Sequence, residues 1–233
     1  MEKIVISELV FEIHRSTRRK TLELIVDRDG KLIAKIPIVT NENDLRKWIE
    51  SKLLWVHKKL QIKKPFLENK KTLSFSSGET ITYLGCNYRL KIVQNQIEPL
   101  QFDGQWFRLR KADIDNAPAI FKQWYIKNGT PVLCKRVKHW ARKTGTVPEM
   151  VKCSELGYRW GSCGKNNVIH FNWRLLQLEM RLIDYVIVHE LVHLTERNHN
   201  KNYWRKLESI LPDYLIRKSE LDCKKVEMNW VIK

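Results

Sequence analysis

The sequence predicts an α+β fold: an N-terminal antiparallel β-sheet with a long helix, followed by a region in which a helix carrying His189-Glu190-x-x-His193 packs on a small sheet. Three observations predict it. Residues 3–38 and 72–110 alternate apolar and polar side chains, the period-two pattern of half-buried strands. Residues 44–60 and 117–143 repeat apolar side chains at helical spacing. Ile183, Ile187, Leu191 and Leu194 recur at steps of four, four and three, one apolar stripe running past the histidine motif. The expected organisation is a β-rich region with one basic helix at 1–112 and a second region at 113–233 that forms one compact unit.

Within 3–38, Leu22, Leu24 and Val26 precede Asp27-Arg28-Asp29-Gly30, and Leu32, Ala34 and Ile36 follow it, which predicts a hairpin. Arg15, Arg18, Arg19 and Lys20 cluster before it, as a solvated strand edge or a phosphate contact. After Pro37, the stretch Thr40 to Asp44 offers N-caps and first-turn acids, and Leu45, Trp48, Ile49, Leu53, Val56 and Leu60 predict one helix of about twenty residues. Its basic residues, Lys58, Lys59, Lys63 and Lys64 among them, make one face a candidate polyanion surface or simply a solvated face.

Residues 80–93 and 105–110 read as strands that extend the N-terminal sheet. The helix expected over 117–143 presents Phe121, Trp124, Leu133, Val137 and Trp140 on one face, with a kink or break at Gly129-Thr130-Pro131. Residues 150–156 and 168–178 read as two strands joined by a polar turn, and 168–176 is the candidate edge strand to which an extended peptide adds by main-chain hydrogen bonds.

The histidine motif carries the chemistry. Four residues turn a helix by about 400°, so His189 and His193 sit one turn apart, about 40° around the axis, and can share a metal. Glu190 falls about 60° to the side of His193, within reach of a water on that metal, where a general base must stand. A catalytic Zn²⁺ takes three protein ligands. His199, ten residues after His189, is the natural third, with Glu196 where the longer His-Glu-x-x-His-x-x-Gly-x-x-His pattern places glycine. Asn198 in the left-handed conformation is expected to make the bend, and Asn200 to cap a following helix through Tyr203, Trp204, Leu207, Ile210 and Leu211. The competing reading of His189 and His193 is a pair of half-buried histidines on an ordinary helix.

Lys and Arg number 43 against 26 Asp and Glu, a formal charge of +17 that favours contact with a polyanion such as DNA. Cys86, Cys134, Cys153, Cys163 and Cys223 are odd in number and contain no Cys-x-x-Cys pair, which argues against a disulfide framework and for a reducing cytoplasm. No segment has signal-peptide or membrane-spanning character.

Tyr158-Arg159-Trp160-Gly161-Ser162-Cys163, the stretch Ile169 to Leu175, and Ile183 to Leu194 with Asn198-His199-Asn200-x-x-Tyr203-Trp204 together resemble the YgjP-like metallopeptidases, predicted metal-dependent hydrolases similar to the WLM and SprT-type zinc proteases. The early Arg-Arg-Lys hairpin and the Trp48 helix also resemble that family, so the likeness covers most of the chain. Asn200 stands where a serine is common and Met180 where a proline often precedes the helix. The resemblance implies a minimal zincin-like metallopeptidase domain at 113–233, Zn²⁺ on His189, His193 and His199, Glu190 as base, and a protein or peptide substrate. It also implies proteins attached to DNA as targets. The alternative from another class is a basic nucleic-acid-binding module with a structural or vestigial metal site. A second electrophile is open among Tyr203, Tyr158 and Arg159, with packing beside Trp204 or an internal ion pair as the plain alternatives. Asn172 and Asp184 are candidate partners for the ligand histidines. Cys163 is either a thiolate ligand or a small buried residue in a Gly-flanked turn.

Overall fold

In the computed structural model the chain folds as two compact units, Met1–Lys71 and Thr72–Lys233. Residues 2–27, 30–68, 73–157 and 159–227 are described, without the side chains of 62–68 and 225–227. Tyr158 and the side chains of Lys63 and Lys64 therefore lie outside the described residues.

The first unit is a four-stranded sheet with two helices. Strands β1 (Glu2–Ile6), β2 (Leu9–Ser16), β3 (Glu23–Val26) and β4 (Leu32–Pro37) lie in the order β1-β2-β4-β3. The expected hairpin is β3–β4, closed where Asp27 and Lys31 exchange hydrogen bonds. The sheet is mixed rather than wholly antiparallel, because β3 returns on the outer side of β4 and leaves β4 parallel to β2. Alternation along β2 and β4 buries Phe11, Ile13, Leu32, Ala34 and Ile36 against Leu45, Ile49 and Val56.

The single helix expected here is two, α1 (Glu42–Glu50) and α2 (Leu53–Glu68). Asn41 caps α1 by accepting from the N–H of Asp44. The break follows from Ser51, whose hydroxyl donates to the Trp48 carbonyl while Lys52 N–H turns to Ile49 O, tightening the last turn.

The second unit begins with another four-stranded sheet: β5 (Thr80–Tyr83), β6 (Cys86–Val93), β7 (Leu100–Phe102) and β8 (Trp106–Arg110), ordered β5-β6-β8-β7. Its pairings, antiparallel, parallel and antiparallel, repeat those of the first sheet. These strands form a sheet of their own and do not extend the N-terminal one. Ile81, Leu90, Phe107 and Leu109 share a core with Phe121 and Tyr125 of the following helix, which moves the division of the chain from the expected 112/113 to 71/72.

That helix, α3 (Ala117–Thr144), runs through Pro131 without a break in the helix. Thr130 Oγ1 donates to Ile126 O, and Gly145 in the left-handed conformation ends the helix. A third sheet follows, β9 (Met150–Ser154), β10 (Gly161–Cys163) and β11 (Val168–Asn172), ordered β10-β11-β9. The last helices are α4 (Met180–Val192), α5 (Lys201–Ile210) and α6 (Tyr214–Glu227). Helix α4 is buried on nearly every side, more than its single stripe suggested, with Leu182, Val186, Val188 and Val192 inside as well as Ile183, Ile187 and Leu191. Arg136 of α3 fixes it by a bidentate pair to Asp184, 2.8 and 2.5 Å. Among the described residues no helix is long and apolar enough to cross a membrane.

Candidate metal centre

Helix α4 presents His189 and Glu190 and reaches its C-cap at His193. Beyond it the backbone tightens, Leu194 N–H bonding Leu191 O and both Thr195 and Glu196 N–H bonding Val192 O. Asn198 is not in the left-handed conformation. The bend is made instead by this short-stepped turn and by the Asn200 N–H bond to Asn198 O. Asn200 then caps α5 as expected, accepting from the N–H of Tyr203 at 2.8 Å.

The turn brings His199 back onto the other two rings. Its Nε2 lies 3.1 Å from Nε2 of His193 and 3.2 Å from Nε2 of His189. Among the described residues these three histidines are the one group of His, Cys, Asp or Glu with ligand atoms close enough to hold a metal. Two nitrogens on one tetrahedral ion, each about 2.0–2.1 Å from it, stand about 3.3 Å apart, so the spacing fits a divalent cation. The donor chemistry agrees. Nδ1 of His193 is 2.9 Å from the Glu196 carbonyl, which only accepts, so Nδ1 carries the proton and the neutral ring turns a lone pair at Nε2 toward its neighbours.

Aromatic packing holds the rings. Tyr203 is fully buried with its centroid 4.6 Å from those of His193 and His199, and its hydroxyl donates to His189 O at 3.2 Å. Trp204 stacks on His199 at 5.5 Å and donates Nε1–H to the His199 carbonyl. Burial pushes the Tyr203 phenol well above its ordinary range and lowers the His199 imidazole, the positive charge of Lys218 acting in the same direction.

Glu190 is 5% exposed and faces β10 across a short gap. A β carbon on Gly161 would stand 2.6 Å from Glu190 Oε1. Burial pushes the Glu190 carboxyl up to about 8, outweighing a hydrogen bond from the Cys163 N–H and the charge of Arg159. The cleft holding these groups has a volume of about 700 Å³ and is also lined by Trp160, Ser162, Arg197 and Lys218.

Other expected roles fall differently. Strand β11 is the centre of its sheet, so the edge beside Glu190 is β10, which the sequence presented as a polar turn. Asp184 is taken by Arg136, and the buried Asn172 side chain donates to the carbonyls of Gly157 and Arg159 and accepts from Arg174 N–H, so neither supports a ligand histidine. The Cys163 thiol sits beside Arg197 and is not among the side chains whose ligand atoms converge with the histidines. Arg197 and Lys218 carried no sequence signal beyond their charge.

A comparison with protein families matches the YgjP-like, metallopeptidase domain over residues 20–224. The chain belongs to the YgjP-like family. As a YgjP-like metallopeptidase it is a metal-dependent peptidase, an enzyme whose substrate is a protein or peptide. Among solved structures it is similar to the metallopeptidase zymogen of Pyrococcus abyssi abylysin, with a TM-score of 0.38 and 22% identity over 42% of this chain and 99% of that one. A comparison with curated proteins finds no match.

Proposed function

We propose that this YgjP-like metallopeptidase is a zinc enzyme in which His189, His193 and His199 hold the ion and Glu190 is the general base. The convergence of three imidazole Nε2 atoms beside a buried carboxyl in one cleft carries this reading. Bound there, zinc supplies Lewis acidity to a substrate carbonyl and lowers the pKa of water toward neutrality. Glu190 takes the proton of the attacking water and delivers it to the leaving amine, and its proton affinity near neutrality suits both transfers. The Cys163 N–H steadies the carboxylate between them. The substrate lies extended along the outer edge of β10, where main-chain hydrogen bonds extend the sheet.

DNA-associated targets are a further part of this reading, supported by the +17 charge and by the exposed Lys135, Lys138, Arg142 and Lys143 toward the end of α3. Five free thiols support a reducing cytoplasm.

Metal analysis and digestion of casein and of a basic DNA-binding protein, with and without single-stranded DNA, test the proposal. We expect about one zinc per chain, lost in His193→Ala, and a Glu190→Gln protein that keeps zinc and cleaves nothing. Cleavage unchanged in Glu190→Gln removes the base assignment. A zinc-loaded protein that cleaves no substrate yet binds DNA with a steep salt dependence leaves the nucleic-acid-binding module in its place.

A further inference from the structure

Three cations in the metal cleft form no ion pair with a carboxylate among the described residues. Several arginines elsewhere find one: Arg110 pairs with Asp113, Arg136 with Asp184, Arg174 with Glu155 and Arg217 with Asp213. Arg159, Arg197 and Lys218 line the cleft instead, and none forms an ion pair with a described carboxylate.

Their placement is ordered. Arg159 is exposed just ahead of β10, its Nη1 3.4 Å from Ser162 Oγ. Arg197 docks at the far end of β10, donating to Gly164 O at 3.4 Å and Asn167 Oδ1 at 3.0 Å. Lys218 lies 4.9 Å over the Trp204 ring, which itself stacks on His199. The acids on the same wall are Glu190 and Asp222, two carboxyls against three cations. A concavity lined by more cations than carboxyls focuses a positive potential, and guanidinium groups match carboxylates in geometry as well as charge. A segment laid along β10 rises about 3.3 Å per residue, so a guanidinium stands within about two residues of each end of that strand.

Resting on the peptidase reading of this cleft, we propose that Arg159, Arg197 and Lys218 determine specificity by selecting peptides that carry a carboxylate close to the scissile bond, as an acidic side chain or as a free C-terminus. The cleft rejects peptides with Lys or Arg in the same places.

The zinc-loaded enzyme is tested on a mixed peptide library with cleavage sites read by mass spectrometry, Glu190→Gln and chelator-treated protein serving as blanks. Matched pairs built on a cleaved site then compare Glu with Gln, and a free with an amidated C-terminus. The expected result is a kcat/KM about tenfold higher for the carboxylate in at least one pair, the size of one charge-assisted contact. A preference in the Glu/Gln pair identifies the side chain as its source, and one in the acid/amide pair identifies the terminus. In Arg159→Glu and Lys218→Glu, with zinc content and circular dichroism unchanged, the ratio falls to one or inverts, and Arg159→Lys keeps part of it. Cleavage with no preference in either pair, or with enrichment of Lys and Arg around the site, overturns the proposal while leaving the peptidase reading intact. No cleavage of any peptide overturns both.

Discussion

Gly161 and Glu190 touch across the gap between β10 and α4: a β carbon at 161 would meet Oε1 of the carboxyl at 2.6 Å and Cγ at 2.8 Å. The strand can approach the helix this closely only because it has no side chain there, and the approach fixes where the carboxyl points. Gly161→Ala pushes the Glu190 side chain or the strand aside without touching the histidines. We expect zinc content to stay at the wild-type level while kcat/KM falls about 100-fold, the cost of misplacing a catalytic group by about 1 Å. Activity within a few-fold of wild type would show that the carboxyl does not need this wall.

The burial that raises Glu190 to about 8 has a thermodynamic consequence in the metal-free protein. The folded state holds the carboxyl protonated at neutral pH, whereas the unfolded chain ionises it above its ordinary 4.5. The stabilising contribution is therefore complete below 4.5 and fades as the pH rises through 8. Gln at 190 never ionises. Chelator-treated Glu190→Gln should be more stable than wild type at pH 8 by about 2–4 kcal/mol, several degrees in Tm, with the gap closing near pH 4.5. Thermal unfolding at the two pH values checks this, and equal Tm at pH 8 would mean the carboxyl is wetter than its 5% exposure implies.

What the sequence disclosed and what it hid divide along physical lines. His189, Glu190 and His193 are legible because helical geometry fixes relations between residues one turn apart, and Asn200 because an N-cap is a local hydrogen bond. The backbone between them was less so: Asn198 looked like the residue to turn the chain, but a tightened helix end turned it without any positive φ. Pairings over long separations left no local trace, so the parallel contact of β2 with β4 and the separate sheet of β5–β8 were missed. The edge strand was misplaced because Gly161-Ser162-Cys163 is too short to show alternation, while β11 next to it has strand-like composition and sits in the middle. Arg197 and Lys218 enter the cleft from elements whose positions only the fold supplies.

Tyr203 was a candidate electrophile, and its surroundings give it a different task. Its ring packs against His193 and His199, and its hydroxyl is spent on the His189 carbonyl, inside the protein. Tyr203→Phe keeps the ring and loses one neutral hydrogen bond, about 1 kcal/mol. We expect a small drop in stability, zinc affinity within a few-fold, and kcat within a few-fold. Tyr203→Ala, which removes a ring packed against all three ligand histidines, should weaken zinc binding by at least about tenfold. A 100-fold fall in kcat for the phenylalanine variant, with zinc retained, would restore the electrophile role.

Gly129 lies in the interior of α3, where glycine is about 1 kcal/mol worse than alanine for the helix. Propensity alone thus favours Gly129→Ala. Packing opposes it, since the new β carbon would fall 1.8 Å from Cδ1 of the buried Leu176, in the turn that leads from β11 into α4. Leu176 is held in turn by its carbonyl, which accepts from the Leu84 N–H at 2.7 Å, so it has little freedom to withdraw. Overpacking of this kind costs about 1–3 kcal/mol, enough to outweigh the helical gain. The expected outcome is a net loss of about 1–2 kcal/mol by denaturant unfolding. Leu176→Ala alone opens a cavity and should lose about 2–5 kcal/mol, but in that background the added methyl enters vacated space. The double variant should therefore be more stable than the sum of the two losses by at least about 1 kcal/mol, and strict additivity would mean that the two residues are not in contact.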